Sequence, residues 1–489
     1  MADDTDERFD FVIIGAGAAG EAAATLALER GASVAVVDDD LFGGSCAFWA
    51  CIPSKALLHA AAVHRAGGDF PWQKASEFRD YNIVREDRDY PDDSGHLESV
   101  RKSGGTAIRG RARLAGPGRV EIRKSHSGVG REGTDGAEDA ERADVTEATG
   151  EAVRTLDAGS IIVAVGSTST IPPIEGLSDV AIWTNREATS TRELPRSLLI
   201  MGGGPTGVEL AQVYARYGVP TTIVDSNERL LSKDHPRSSA CIRSSLEADG
   251  ATVLTGVRAQ RVEASTEAGG QHLVHLSDGS TVSAHEILVA VGRTLPVEDL
   301  GLETVGVTIQ DGRPPKPDEA LRIAEGVYLV GDPAGPEMHT HVAHYQGEMA
   351  VRVALGDEVT PDLRAIPRAT YADPETGSVG IRLDEAEAQG YSAAFEETAD
   401  LATSAKGYVT EAQGHVSIVV DGRDGVLLGA FICGPGASEA IHEAVLAIKL
   451  RTPVHVLADT LHAFPTVARV MGGLFVSAAR RIATGSSEG

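Results

Sequence analysis

The sequence is poor in cysteine, aromatic residues, lysine and long apolar runs. Four cysteines in 489 residues are too few to staple a secreted scaffold, so a reducing cytoplasm is the expected compartment. Aromatic residues make up only 4%, which leaves aliphatic side chains and alanine to fill the cores. No apolar run comes near the roughly 18 residues of a membrane span, so no membrane association is expected. The opening MADDTDERFD carries no apolar segment of the signal-peptide kind. Eight lysines leave arginine to supply 36 of the 44 basic residues, against 71 acidic ones, for a formal net charge of −27. That balance excludes nucleic acid, whose phosphates need a basic surface. An acidic, lysine-poor chain suits a salty cytoplasm or high-GC coding equally, and neither bears on mechanism.

The length exceeds one ordinary core and predicts two to four domains. Residues 9–38 read as strand, glycine turn, helix and second strand. FDFVIIGAGAAG places Gly15, Gly17 and Gly20 in G-x-G-x-x-G spacing, EAAATLALERGA has helical composition, and SVAVVDDD is a buried strand reaching Asp38. The first glycine makes the turn, the second lets backbone approach a pyrophosphate, and the third lets helix and strand pack closely. The helix N-terminus faces the phosphates and the acid accepts ribose hydroxyls. The pattern recurs at 198–225, where LLIMGGGPTGVEL supplies Gly202, Gly204 and Gly207 and PTTIVD ends at Asp225. In both copies the acid follows the first glycine by 23 residues, so the chain is expected to bind two dinucleotides. An acid at the end of the second strand suits a free 2′-hydroxyl, which favours NAD over NADP in the second copy, although Arg229 stands nearby.

Three more apolar strands run into glycine turns: SIIVAVGS (160–167), EILVAVGRTLP (286–296) and GVYLVGD (326–332). Their order fits one dinucleotide fold interrupted by another. Residues 125–150, rich in Gly, Glu, Asp and Ser, read as an extended surface loop. The stretch GGSCAFWACIPSK puts Cys46 and Cys51 beside a helix start. Metal ligands, a structural disulfide, a lone nucleophile and a redox pair are all open readings of those two residues.

The motifs GAGAAG, GGSCAFWACIPSK, GGGPTGVE, AVGRTLP and GVYLVGD together resemble the class I pyridine nucleotide-disulfide oxidoreductases, the group of dihydrolipoamide dehydrogenase, glutathione reductase and mercuric reductase. The likeness covers nearly the whole chain, with YADPETGSVG and GAFICGPGASEAIHEAVLAI similar to the family's interface domain. It implies an α/β fold with two Rossmann-like dinucleotide-binding domains, for FAD and NAD(P), plus a C-terminal α+β dimerisation domain. The implied domains are 1–155 with 290–355 for FAD, 156–289 for the nicotinamide cofactor and 361–481 for the interface. A homodimer whose active site is shared between subunits is implied too, with a small-molecule acceptor.

The resemblance makes Cys46 and Cys51 a redox disulfide, with Cys51 nearest the flavin and Cys46 exchanging with substrate. A metal site would need further ligands, and no second close Cys pair exists in the sequence. Pro53 suits the first turn of a helix through SKALLHAAAVHRA, and Cys51 then lies at that helix's positive end, where a thiolate is favoured. Lys55 and Glu209 are implied to pair near the flavin. Gly166, Asp332 and His341 join Gly15, Gly17, Gly20 and Asp38 around FAD, and Gly292 joins Gly202, Gly204, Gly207 and Asp225 around the nicotinamide cofactor. His339 and His344 are expected to be bystanders.

One motif departs from the pattern. The family's disulfide reductases end on His-Pro-Thr with a Glu five residues after the His, whereas this chain reads LHAFPTVAR, with Phe464 for the His and Arg469 for the Glu. General acid–base help is worth about 10²–10⁴-fold, so the acceptor is left open. A metal ion or quinone, a disulfide served by His462 as substitute base, a role like that of the coenzyme M-dependent ketone reductase/carboxylases, and a redox-sensing subunit are the alternatives. The C-terminal RRIATGSSEG lacks the Cys pair of mercuric reductases. Phe48 and Trp49 are expected to pack or to narrow the acceptor site, and Cys241 and Cys433 to be core or helix-face residues.

Overall fold

Residues 9–38 fold as strand, glycine turn, helix and strand, and they lie in the first of two compact parts. The computed structural model describes residues 7–123, 154–267 and 269–485. The loop expected at 125–150 lies outside the described residues.

The first part comprises Met1–Pro53, Glu77–Thr170 and Arg293–Pro361. Strand β1 (Glu7–Ile14) lies parallel between β2 (Val34–Asp38) and β6 (Arg154–Val163), and β2 continues parallel to β3 (Thr106–Arg109). Strand β17 (Val327–Leu329) extends the sheet beyond β6, with β16 (Arg322–Ala324) antiparallel at its edge. The hairpin β4 (Arg111–Leu114) and β5 (Arg119–Arg123) joins β6 antiparallel. Phe11–Ile14 and Val34–Val37 are buried in unbroken runs, as strands covered on both faces must be. On one face, the alanines of α1 (Ala18–Glu29) let α9 (Thr340–Ala354) approach closely. A Cβ on Gly347 would stand 2.2 Å from the Ala19 carbonyl oxygen. A short pair, β7 (Thr168–Ser169) with β15 (Arg293–Thr294), completes this part.

Parallel pairing of β6 with β1 puts 154–163 in this first sheet. The boundary expected at 155/156 therefore cuts a strand, because apolar periodicity alone does not say which sheet a strand joins.

The second part comprises Ser54–Ser76, Ile171–Gly292 and Asp362–Gly489. Strand β8 (Leu198–Met201) lies parallel between β9 (Thr221–Asp225) and β14 (Glu286–Val289), with β10 (Thr252–Thr255) beside β9. Strands β11 (Ala259–Glu263), β12 (His272–Leu276) and β13 (Thr281–Ala284) form an antiparallel sheet. Helices α7 (Pro205–Arg216) and α8 (Pro236–Ala248) follow β8 and β9. A five-stranded antiparallel sheet runs β18 (Pro367–Thr370), β19 (Thr376–Gly380), β22 (Val426–Cys433), β21 (His415–Asp421), β20 (Ala394–Asp400). Helices His442–Leu450 and Val467–Gly485 cover it, with Ile448, Met471 and Phe475 in its core.

The segment Gly44–Arg65 is longer and more apolar than expected, enough to cross a membrane by length and composition alone, and half of its most apolar stretch is buried within the fold. It is broken at Trp49–Ala50 into α2 (Gly44–Phe48) and α3 (Cys51–Arg65), and residues such as Leu57, Ala60 and Ala61 are fully buried.

Candidate active site

Each glycine loop is shaped by its own chain. Gly15 has φ +105°, and a Cβ there would sit 2.4 Å from the Ala164 carbonyl oxygen, while one on Gly20 would sit 1.9 Å from Gly15 O. The second copy repeats this with Gly202 and Gly207. The middle glycines play another part: Gly204 faces open space, and Gly17 meets only the Gly44 Cα at 3.8 Å. Backbone is thus bared at the N-termini of α1 and α7, where a side chain would intrude. That is the cradle a pyrophosphate needs, so both loops fit the expected dinucleotides.

The acids fasten these loops, a role the sequence reading did not include. Asp38 Oδ2 accepts from the Ala16 N–H at 2.6 Å and Oδ1 from the Asp40 N–H at 2.8 Å. Burial pushes its carboxyl up to about 6, against the pull of those two N–H groups. Asp225 accepts from the Gly203 N–H and takes Asn227 N at 2.6 Å and Nδ2 at 2.7 Å. A carboxylate has about four acceptor sites, so both can still receive ribose hydroxyls. Arg229 donates to the carbonyls of Ser232 at 2.7 Å and Asp234 at 3.2 Å, which occupies the guanidinium.

Gly166 and Gly292 both turn with positive φ. Asp332 accepts from the Ser167 hydroxyl and lies 3.5 Å from Arg293 Nε. Ser167 and Arg293 lie within SIIVAVGS and AVGRTLP, but their meeting with Asp332 joins segments far apart in the chain, which no local motif records. His341 is exposed on the first turn of α9 and stacks on His339, their ring centres 5.1 Å apart. His339 in turn contacts Glu337 at 3.1 Å, and His344 is also exposed.

Cys51 begins α3 and Cys46 sits within α2, so the turn between the two helices brings the thiols together. Both are thiols and half-buried. Their sulfurs share one partner, the Thr340 hydroxyl at the start of α9, 3.3 Å from Cys46 and 3.4 Å from Cys51. Donation to the Cys51 sulfur pushes the Cys46 thiol far up, burial adds to this, and Thr340 opposes it. Cys51 is the first residue of α3, at the positive end of that helix. The only sequence signal for Thr340 was its place beside His341. Phe48 and Trp49 are buried with Leu41 and Ile83, so within the subunit they pack.

Lys55 and Glu209 meet as expected, with Nζ 2.8 Å from Oε2. Glu209 is buried, 5% exposed, and Lys55 is 36% exposed. The other Glu209 oxygen accepts from the Tyr371 N–H at 2.9 Å, and Lys55 Nζ lies 4.8 Å from the centre of the Tyr371 ring. Tyr371 was missed as a site residue although YADPETGSVG was singled out.

At the C-terminal motif Phe464 is 74% exposed. His462 turns inward: its side chain is 5% exposed, Nε2 lies 2.8 Å from Glu443 Oε1, and its ring packs against Gly472.

Two dinucleotide cradles and a thiol pair at a helix N-terminus belong to enzymes that move electron pairs between nicotinamide, flavin and sulfur. Residues 9–347 match the family described as pyridine nucleotide-disulphide oxidoreductase, and residues 366–474 match its dimerisation domain. The dihydrolipoyl dehydrogenase of Halobacterium salinarum is 32% identical over 471 residues, 94% of each chain. That of Chlorobaculum tepidum is 32% identical over 476 residues, 96% of this chain and 97% of its own. LpdA from Mycobacterium tuberculosis superposes with a TM-score of 0.80 at 25% identity, over 96% of this chain and 99% of its own. The Cu(II) complex of the flavoprotein disulfide reductase RclA from Escherichia coli shares the fold, with a TM-score of 0.80 at 20% identity over 96% of this chain and 99% of its own. The chain belongs to the pyridine nucleotide-disulfide oxidoreductase family: an FAD-dependent oxidoreductase with the expected α/β dinucleotide-binding fold and C-terminal dimerisation domain.

Proposed function

We propose that the enzyme takes an electron pair from a nicotinamide dinucleotide, NADH in preference to NADPH, and stores it as the Cys46–Cys51 dithiol. From there the pair goes to an acceptor that needs no proton from the protein, a quinone or a metal ion in preference to a lipoamide disulfide. The observation that carries this is the C-terminal motif. Phe464 stands exposed where a proton-transferring His is expected, and the nearby His462 is turned into its own domain and held by Glu443. An inward, buried ring is poorly placed to serve as a substitute base.

Bound FAD supplies the two-electron exchange between nicotinamide and dithiol. On this reading the α1 N-terminus with Gly15, Gly17, Gly20 and Asp38 holds it, helped by Gly166, Asp332 and His341. Gly202, Gly204, Gly207, Asp225 and Gly292 receive the nicotinamide dinucleotide. Cys51 carries the thiolate, Cys46 meets the acceptor, and Lys55, oriented by buried Glu209, supplies a fixed positive charge for developing negative charge. The first part of the chain is then the FAD domain, and residues 361–481 of the second make a homodimer. Exposed Leu461, Phe464, Leu450 and Leu446 in that region support a covered surface there. Cytoplasmic placement belongs to the same reading, because a dithiol fed by reduced nicotinamide works in a reducing compartment.

A second reading, a lipoamide-directed dehydrogenase, is favoured by the relatives named dihydrolipoyl dehydrogenase. Anaerobic titration with NADH followed by an acceptor panel separates the two. Uptake of two electrons per flavin beyond the flavin's own two is expected, with fast turnover on quinone or cupric ion and slow turnover on lipoamide. Fast lipoamide turnover would overturn the proposed acceptor class. In the same panel Asp225→Asn is expected to raise the NADPH-to-NADH ratio of kcat/KM, and an unchanged ratio would refute the ribose argument.

A further inference from the structure

The site above uses two of the four cysteines; the other two meet in the second part of the chain. Cys241 lies on α8, and Cys433 ends β22. Ser238, one helical turn before Cys241 and on the same face, has its hydroxyl 3.0 Å from His415 Nε2. His415 on β21 is the cross-strand partner of Cys433. The helix is further tied down by Arg237, which donates to the Thr398 hydroxyl at 2.6 Å and pairs with Asp400 on β20. His235, just before α8, packs on His415 and Phe431, with ring centres 4.9 and 5.4 Å away. One face of α8 therefore lies across β20, β21 and β22, which sets Cys241 beside Cys433. Cys433 is fully buried, whereas Cys241 is half-buried and open to a small solute.

We propose that Cys241 and Cys433 are a second redox dithiol, oxidised by hydroperoxides to a disulfide that staples α8 to β22, chemically separate from the Cys46–Cys51 pair. The division of labour follows from the surroundings. The Cys433 S–H donated to it, with help from the Arg237 guanidinium, brings the Cys241 thiol down to about 7 against burial and Asp400. Donation, burial and the charge of Asp234 push the Cys433 thiol the other way. An accessible, partly ionised thiol beside a buried protonated one is the arrangement of an attacking and a resolving cysteine. The Cys241 thiolate attacks one oxygen of hydrogen peroxide; the O–O bond breaks, hydroxide leaves, and Cys241 becomes a sulfenic acid. The Cys433 sulfur then attacks the Cys241 sulfur. The S–O bond breaks, and the departing hydroxide takes the Cys433 proton as water. Two thiols lose two electrons and the peroxide is reduced to water. The new bond closes a loop of nearly two hundred residues, which restricts the unfolded chain.

The test uses the full-length, FAD-bound enzyme, reduced, freed of reductant and exposed to hydrogen peroxide at neutral pH. After quenching with N-ethylmaleimide, peptides are mapped without reduction. The expected product is a Cys241–Cys433 cross-linked peptide that dithiothreitol reverses. Before oxidation, Cys241 should alkylate at least tenfold faster than Cys433. Cys241→Ser, a change on the half-buried side that spares the buried cysteine, should leave Cys433 a free thiol after peroxide. Conversion of Cys241 to sulfinic acid with Cys433 still a thiol would overturn the proposal. So would full oxidation of Cys46–Cys51 with both Cys241 and Cys433 unchanged.

Discussion

Thr340→Val removes a single hydroxyl from between the two active-site sulfurs and nearly preserves the side chain's shape. The hydroxyl donates to Cys46 at 3.3 Å and contacts Cys51 at 3.4 Å. A donor aimed at sulfur favours the thiolate over the thiol. A hydrogen bond to a charged group is worth about 1.5–3 kcal/mol, and a sulfur acceptor at this separation belongs at the low end. One pKa unit corresponds to about 1.4 kcal/mol, so the pH at which the reduced pair loses its first proton should rise by about one unit. Below that midpoint the thiolate population, and with it the rate of alkylation by iodoacetamide, should fall roughly tenfold. Because the sulfurs titrate as a pair, the midpoint belongs to both, and peptide mapping shows which is modified. Thr340→Ser should restore most of the wild-type profile, since it keeps the oxygen. Superposable pH profiles for Thr340→Val and wild type would refute the reasoning.

Glu209→Gln keeps an acceptor for the Tyr371 N–H but removes the charge facing Lys55. After allowance for the 36% exposure of Lys55, the loss is about 1 kcal/mol. Thermal melting should then fall by about 2–4 °C, and an unchanged melting temperature would contradict this account of the pair. Restoring the family's acid–base groups with Phe464→His and Arg469→Glu should raise lipoamide turnover at least tenfold, part of the about 10²–10⁴ that such help supplies. No gain would place acceptor choice elsewhere. His96 lies 2.6 Å from Glu21, and that bond, with Asp93 nearby, holds its pKa above the ordinary value against burial. A raised folded value means the stabilisation is complete below the unfolded pKa of about 6.5 and is lost as pH rises through the folded one. The stability gap between wild type and His96→Gln should therefore be widest in mild acid and close in alkali. Urea melts at both extremes check this, and an equal gap would count against it.

What was legible in the sequence was what local geometry dictates. A glycine that must turn with positive φ and another that must clear a carbonyl leave a fixed spacing, so Gly15, Gly20, Gly202 and Gly207 could be read directly. Cys46, Cys51, Lys55 and Glu209 sit inside two such stretches. Thr340, Tyr371, Ser167 and Arg293 reach their partners from distant segments, and no spacing records that. The apolar run within SIIVAVGS (160–167) looks alike whichever sheet it joins, so its parallel partner is not readable from the sequence. Cys241 and Cys433 read as unrelated packing residues because a helix register and a strand register, each ordinary alone, bring them together. His462 is a candidate base by proximity in sequence, and its inward turn toward Glu443 is visible only in the fold.

The clasp that each acid makes on its own glycine loop bears on how a dinucleotide is received. With the Ala16 and Gly203 N–H groups already tied to Asp38 and Asp225, the loops arrive in their receiving shape. The ligand need not supply the ordering entropy, about 1–2 kcal/mol for each residue fixed. Removing either carboxylate should therefore cost every dinucleotide at that loop a shared ordering penalty, in addition to any effect at the ribose. In the second loop, a change in the NADPH-to-NADH ratio reports on the sugar, and a loss shared by both reports on the clasp.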